Sequence, residues 1–233
     1  MSLDFPAFGY ALWSLYDQTG IRPEYWLPLG ELESGYNPGI VNSIGCTGIF
    51  QLCPLPNRPV PPGFASLSAS QQMTQYGIAM YRNAVAAYGP IGSATRAYQA
   101  NLLPSTLATA RTLDSVIAQK GSSQRIPNSG LTQAQVYASN PGLDANHNGV
   151  ITVGDLGVEM GKMLQRSVVQ QAIAQTYALR PGWSPVANPV YGTDFAPPGS
   201  LSSYAGPIAL ALVGIAAIGG IAAYEGGLFD RYR

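Results

Sequence analysis

The chain has 233 residues, enough for one large domain or one domain with appendages. Only 10% of them are charged, against roughly 25% in ordinary globular chains, and the formal net charge is zero. No basic patch or run points to a nucleic-acid partner. A surface so poor in charge points instead to contact with a membrane or with other subunits.

The first residues, Met1-Ser2-Leu3-Asp4-Phe5-Pro6, lack a basic segment followed by an apolar run, so they do not read as a secretory signal. Residues 7–19 repeat apolar side chains at helical intervals and stop at Gly20. Residues 23–34 read as a second helix, with Pro23 in its first turn and Glu33 at its end. Residues 54–63 hold five prolines and read as an extended loop. A helix opens at Ser68 and runs through Tyr88, with Met73, Tyr76, Met80 and Val85 on its apolar side. Ser93 caps a further helix over residues 94–101. No alternating strand pattern competes, so the fold class expected is mainly α.

Three motifs stand in order along these elements. Glu33-Ser34-Gly35-Tyr36-Asn37-Pro38 puts a carboxylate at a helix end before a tight turn. Gly45-Cys46-Thr47-Gly48-Ile49-Phe50-Gln51-Leu52 is a loop punctuated by glycine, and Ala97-Tyr98-Gln99-Ala100-Asn101 lies in the last helix. Together they resemble the soluble lytic transglycosylases, which are lysozyme-like enzymes. That family reads Glu-Ser-x-(Phe/Tyr)-Asn-Pro, then Gly-Ala-x-Gly-Leu-Met-Gln-(Leu/Ile)-Met-Pro, then Ala-Tyr-Asn-Ala-Gly. Gly45, Gly48, Gln51, Leu52 and Pro54 match the second motif without a gap.

The resemblance implies a lysozyme-like helical domain that cleaves the glycan strands of peptidoglycan. It makes Glu33 the catalytic acid and base, with Glu31 on a different helix face. Burial against Ile49 and Phe50 would raise the Glu33 pKa in the direction a proton donor needs. Gln51, Asn42 and groups near Gly48 would bind the sugars, and Tyr98 would orient Glu33. No second carboxylate is placed for a hydrolytic mechanism, which fits lytic cleavage to a 1,6-anhydro product. Three positions depart from the family: Asn42 for Ser, Gln99 for Asn and Asn101 for Gly. Cys46 and Cys53 fall where the family has a small residue and Met. They read first as two small buried thiols, and as a disulfide in an oxidising compartment.

Residues 121–130 turn polar and read as a linker. Beyond them Asp144, Asn146, Asn148, Thr152 and Asp155 fall at positions one, three, five, nine and twelve of an EF-hand loop. Gly149 takes position six, and Val150 would offer its carbonyl at position seven. The final Asp resembles the calcium loops of dockerin modules, so calcium is the expected cofactor. His147 sits at a non-ligand position. A helix-like segment follows over residues 158–179.

Residues 181–203 form a Pro/Gly-rich arm, read either as packing on a neighbour or as a flexible tether. Residues 204–224 carry no charge and, as a helix, would span about 30 Å, the thickness of a bilayer core. The organisation expected is thus a lysozyme-like domain over 1–120, a linker and EF-hand-like segment over 121–180, the arm, a transmembrane-type helix over 204–224, and a short tail over 225–233. The implied setting is a phage virion that opens the wall during genome delivery, with virion or envelope subunits and the membrane as partners. The alternatives are a bacterial membrane enzyme facing the periplasm, within a secretion or conjugation machine, and a structural virion protein that keeps the fold with little activity.

Overall fold

The computed structural model describes residues 4–43, 45–54 and 60–195. The expected transmembrane-type helix and tail, 204–233, lie outside the described residues. Among the described residues no helix is long and apolar enough to cross a membrane.

The described chain is mainly α. Helix α1 (Phe5–Thr19) begins where Asp4 accepts from the Ala7 amide, and ends where Gly20 turns left-handed (φ 76°). Helix α2 (Pro23–Ser34) starts at Pro23 and ends at Gly35, also left-handed (φ 57°). Every residue of α2 is buried. It runs among α1, α5 (Ala94–Leu102), α7 (Val153–Leu164) and α8 (Ser167–Ala178). A helix covered on all sides is the middle of a core rather than its coat.

The helix expected over residues 68–88 is present, with an irregularity in its middle. It runs as α3 (Ala69–Gln72), a π-turn (Met73–Gly77) and α4 (Ile78–Tyr88). The wide turn lies beside the Phe50 ring. A Cβ on Gly77 would come within 2.3 Å of Phe50 Cζ, so this helix needs glycine there. The shift also redistributes the faces. Met73, Gly77, Tyr81 and Ala84 are buried, while Tyr76, Met80 and Val85 are only half-buried.

A two-stranded antiparallel sheet pairs β1 (Val116–Gln119) with β2 (Val150–Thr152), with a bulge between Val116 and Ala118. Strands this short carry too few residues for a period of two to register in the sequence. Helix α6 (Gln133–Ser139) lies between them in sequence. The segment 121–180, read as linker plus appendage, is part of the same packed unit. Helix α7 buries Val153, Leu156, Met160 and Leu164 against α2 and α5, and α8 packs on α1 and α2. One connected apolar core extends from Phe8 to Val190. The single helix expected over 158–179 is two, broken at Gln165 and Arg166.

The described part of the arm, 181–195, packs on its own chain. The Pro189 and Val190 carbonyls accept from the Ala94 and Thr95 amides. Asp194 Oδ2 accepts from the Gly92 amide (2.8 Å) and the Ser93 hydroxyl (2.9 Å). The open amides at the start of α5 are thereby satisfied, with a carboxylate at the positive end of the helix.

Gln72 ties three loops together. Fully buried, it accepts from the Ile49 amide through Oε1 (2.9 Å) and donates through Nε2 to the Pro38 and Phe64 carbonyls (both 2.8 Å). Gln72→Ala should cost about 3 kcal/mol in urea unfolding, at about 1 kcal/mol for each of these bonds. Gln72→Glu should not restore it, because a carboxylate oxygen would then face those carbonyls.

Candidate active site

Three buried carboxylates lie on α2, and the structure gives each a different environment. Glu24 is fully buried; it accepts from Arg22 Nε (2.7 Å), from the Tyr177 hydroxyl and from the Val186 amide. Glu31 pairs with Arg166 at the α7–α8 break (2.8 Å). Burial raises the Glu31 pKa, and the Arg166 charge offsets part of that rise. Glu33, 8% exposed, receives Asn101 Nδ2 at 3.4 Å on Oε1. The Glu31 carboxyl therefore serves the packing of α2 on the later helices, and Glu33 alone of the three meets α5 and the motif loop.

The residues after Glu33 account for the turn. Ser34 donates back to the Gly30 carbonyl, and the Gly35 amide reaches the Glu31 carbonyl. Tyr36 is left-handed too (φ 58°), and its hydroxyl donates to the Leu27 carbonyl (2.9 Å). Asn37 Oδ1 accepts from the Gly39 amide, closing an Asx turn around Pro38.

The motif loop is a closed hairpin. Thr47 and Leu52 exchange both backbone bonds at 2.9 Å, around a turn over residues 48–51. Gly48 (φ 76°) admits no side chain: a Cβ would come within 2.4 Å of Gln72 Oε1 and 2.6 Å of the Phe64 ring. Gln51 is left-handed although it is not glycine (φ 47°), and its Nε2 donates to the Gly48 carbonyl (3.1 Å). Phe50 buries its ring edge-on to Trp26 at 5.5 Å, while its carbonyl shares Asn101 Nδ2 with Glu33. Cys46 and Cys53 form a disulfide just outside the Thr47–Leu52 pair, so the thiol reading gives way to the bridge.

The remaining expected residues divide. Asn42 organises its own loop, with Oδ1 accepting from the Cys46 amide at 2.8 Å. Tyr98 is fully buried on α5 and shares the helix face of Asn101, three residues on. The α5 contact described at Glu33 is the one from Asn101. Gln99 turns to the opposite side, donating to Thr106 Oγ1 (3.0 Å) and the Ala110 carbonyl (3.1 Å) beside buried Arg96.

Tyr81 went unread in the sequence. Its hydroxyl accepts from Trp26 Nε1 at 3.1 Å. Burial drives its pKa far up; the Trp26 hydrogen bond works against that rise, and the charge of Glu33 adds to it, so the phenol stays protonated close to the Glu33 carboxyl. A helical offset from Met73 was the available signal, and the π-turn displaces it. A groove between the hairpin and α4 is lined by Phe50, Leu52, Cys53, Tyr76, Met80 and Asn83; Glu33, Gln51 and Asn101 are not among its lining residues.

The second constellation runs from beyond α6 into the first turn of α7. Asp144 is 1% exposed; Oδ1 accepts from the Asn148 amide (3.1 Å), and Oδ2 from the Gly149 amide and the Tyr137 hydroxyl (both 2.8 Å). Burial alone would raise its pKa, but these three hydrogen bonds outweigh it and leave the carboxyl below its usual range. Asn146 and Asn148 close Asx turns onto the Asn148 and Val150 amides. Val150, at position seven, lies in β2, which pairs with β1 rather than with a second loop of its kind. Thr152 and Asp155 cap α7 reciprocally. Two carboxylates with amide, hydroxyl and carbonyl oxygens form an all-oxygen donor set, which suits a hard cation such as calcium. Among the described residues no three His, Cys, Asp or Glu side chains cluster to hold a metal.

No family model matches the chain, and neither a curated protein nor a solved structure matches it.

The pairing of Glu31 with Arg166 has a pH signature. A carboxyl whose folded pKa is raised favours folding below its unfolded pKa, and that contribution is lost as pH rises through the folded value. Removing Arg166 removes what holds the rise back. Arg166→Met should therefore lose more stability near pH 8 than in acid, where protonation of Glu31 removes the charge that Arg166 meets. Thermal melts across that range check it.

Proposed function

We propose that the protein is a lytic transglycosylase of lysozyme-like fold, cleaving the bond between N-acetylmuramic acid and N-acetylglucosamine in peptidoglycan. One observation carries the reading: Glu33 is buried at a helix end, and the Asn101 side chain ties it to the closed hairpin that bears Gly48, Phe50 and Gln51. On this reading the sugar amides would be bound along that hairpin, beside the Glu33 carboxyl.

In the proposed reaction Glu33 gives its proton to the glycosidic oxygen as the C1–O bond of the muramyl sugar breaks. The C6 hydroxyl of that sugar then closes on C1 and returns its proton to Glu33. No water is consumed, so one carboxyl serves both steps. Asn101 and the Phe50 carbonyl fix where the carboxyl sits, and Tyr81, Phe50 and Trp26 limit the water around it. Gln51 spends one Nε2 donor on the Gly48 carbonyl, which would leave its second Nε2 proton and Oε1 to meet substrate.

That inward turn of Gln51, with Asn101 where the resembled family has glycine, favours a second reading: a virion protein that keeps the fold with little activity. On either reading the proposed setting is a phage particle contacting the cell wall, with an envelope-bound bacterial enzyme as the alternative. Asp144, Asn146, Asn148, Thr152, Asp155 and the Val150 carbonyl would hold calcium, which would supply positive charge that braces the segment from Asp144 through β2 to the start of α7. The protein partners of Asp144 compete with the cation, so the affinity expected is on the order of 0.1–1 mM.

Glu33→Gln should abolish release of muropeptides from purified peptidoglycan while leaving the melting temperature unchanged, and Glu31→Gln should retain cleavage. Mass spectrometry of wild-type products should show anhydro-muropeptides; water-added products would instead make the enzyme a hydrolase. Millimolar calcium should raise the melting temperature of the wild type, and Asp144→Ala with Asp155→Ala should remove that rise.

A further inference from the structure

The disulfide closes the hairpin whose Phe50 carbonyl shares the Asn101 amide with Glu33. Thr47 and Leu52 are a hydrogen-bonded pair, so Cys46 and Cys53 are the adjoining non-hydrogen-bonded pair of the hairpin. In antiparallel strands such pairs bring their side chains closest. Here the Cα atoms are 3.9 Å apart, across a sequence separation of 7. The turn they enclose holds Gln51 in a left-handed conformation that a side chain disfavours. The same turn presents the Phe50 carbonyl that shares Asn101 with Glu33.

From the Gln51 side the turn is held by bonds within the hairpin itself, the Thr47–Leu52 pair and the Gln51 amide and side chain on the Gly48 carbonyl. Gln72 holds the Ile49 amide, and the Phe50 ring is buried on Trp26 and Tyr81. Gln51, Leu52 and Cys53 are only half-buried.

We infer that the Cys46–Cys53 disulfide is a positioning device for the Glu33 cleft and makes cleavage depend on redox conditions: low with the thiols reduced, full once they pair. The inference rests on the transglycosylase reading and concerns its regulation. Cys46 is fully buried and Cys53 half-buried, so exchange starts at Cys53. On oxidation the Cys53 thiolate attacks a small-molecule disulfide of the glutathione class and expels one thiolate. Cys46 then attacks the Cys53 sulfur of the mixed disulfide and expels the second. The two protein thiols lose two protons and two electrons, and the small disulfide becomes two thiols. Reduction reverses the path. Synthesis in a reducing compartment would leave the enzyme quiet, and arrival at an oxidising envelope would complete its site.

The experiment measures muropeptide release by the full chain equilibrated in glutathione buffers of graded ratio, with the disulfide fraction read by alkylation and mass spectrometry. Circular dichroism and amide exchange at residues 47–52 are followed in parallel. With the turn released, a displacement of the cleft groups should lower cleavage about tenfold or more. It should do so while helical content holds, with faster exchange confined to the turn. Activity should follow the disulfide fraction and return on reoxidation. Cys46→Ala with Cys53→Ala should match the reduced wild type and ignore the buffer. Equal activity of oxidised and reduced wild type overturns the inference and leaves the transglycosylase reading intact. Loss of activity only together with loss of helical content also overturns it, because the bridge would then be a staple of the whole fold. Absence of cleavage in the oxidised wild type refutes the transglycosylase reading itself, and the switch falls with it.

Discussion

Burying α2 on every side while it carries three carboxylates is the constraint around which the rest of the molecule is arranged. An isolated charge in such a place costs several kcal/mol. Each carboxylate must therefore find donors or take up a proton. Glu24 is met by Arg22, Tyr177 and the Val186 amide, which draws the chain beyond α8 back onto the start of α2. Glu31 is met by Arg166, and that guanidinium lies where α7 stops and α8 begins. The two pairings hold the C-terminal helices against the central one. Glu33 faces the other way, toward α5 and the hairpin, where the partner described is a neutral amide.

Helix α5 separates structure from candidate chemistry by its two faces. Arg96 and Gln99 point to the turn at 104–110 and bind the Leu107 and Ala110 carbonyls, the Thr106 hydroxyl and each other. Burial lowers the Arg96 pKa, and these acceptors satisfy its guanidinium. Tyr98 and Asn101 lie on the face toward α2. Of the three departures from the resembled family, two thus have structural explanations: Gln99 reaches a turn that a shorter Asn would not span, and Asn42 closes its loop on the Cys46 amide. Asn101 is the departure that touches the cleft. Its start is fixed from far along the chain, since the carboxylate and carbonyls satisfying the first amides of α5 belong to residues 189–194.

The sequence by itself determined the helical class and the stops of α1 and α2. Helical spacing of apolar residues, proline at a first turn and glycine at a left-handed end are local constraints, and they act the same way in any tertiary setting. The same locality made the Asn37-Pro38 turn and the Asx turns of the Asp144–Asp155 loop readable, because in each the conformation is enforced within a few residues. What only the tertiary structure decided depends on groups distant in sequence. Which of two nearby glutamates faces the hairpin was settled by Arg166 and Asn101, each tens of residues away. The fusion of 121–180 into the main core, the seating of the arm on α5 and the pairing of β2 with β1 each rest on surfaces that meet only in the folded chain. Whether two cysteines seven apart pair depended on a hairpin that Gln72 and the Phe50 ring hold in place, and neither residue signals that role in its own neighbourhood.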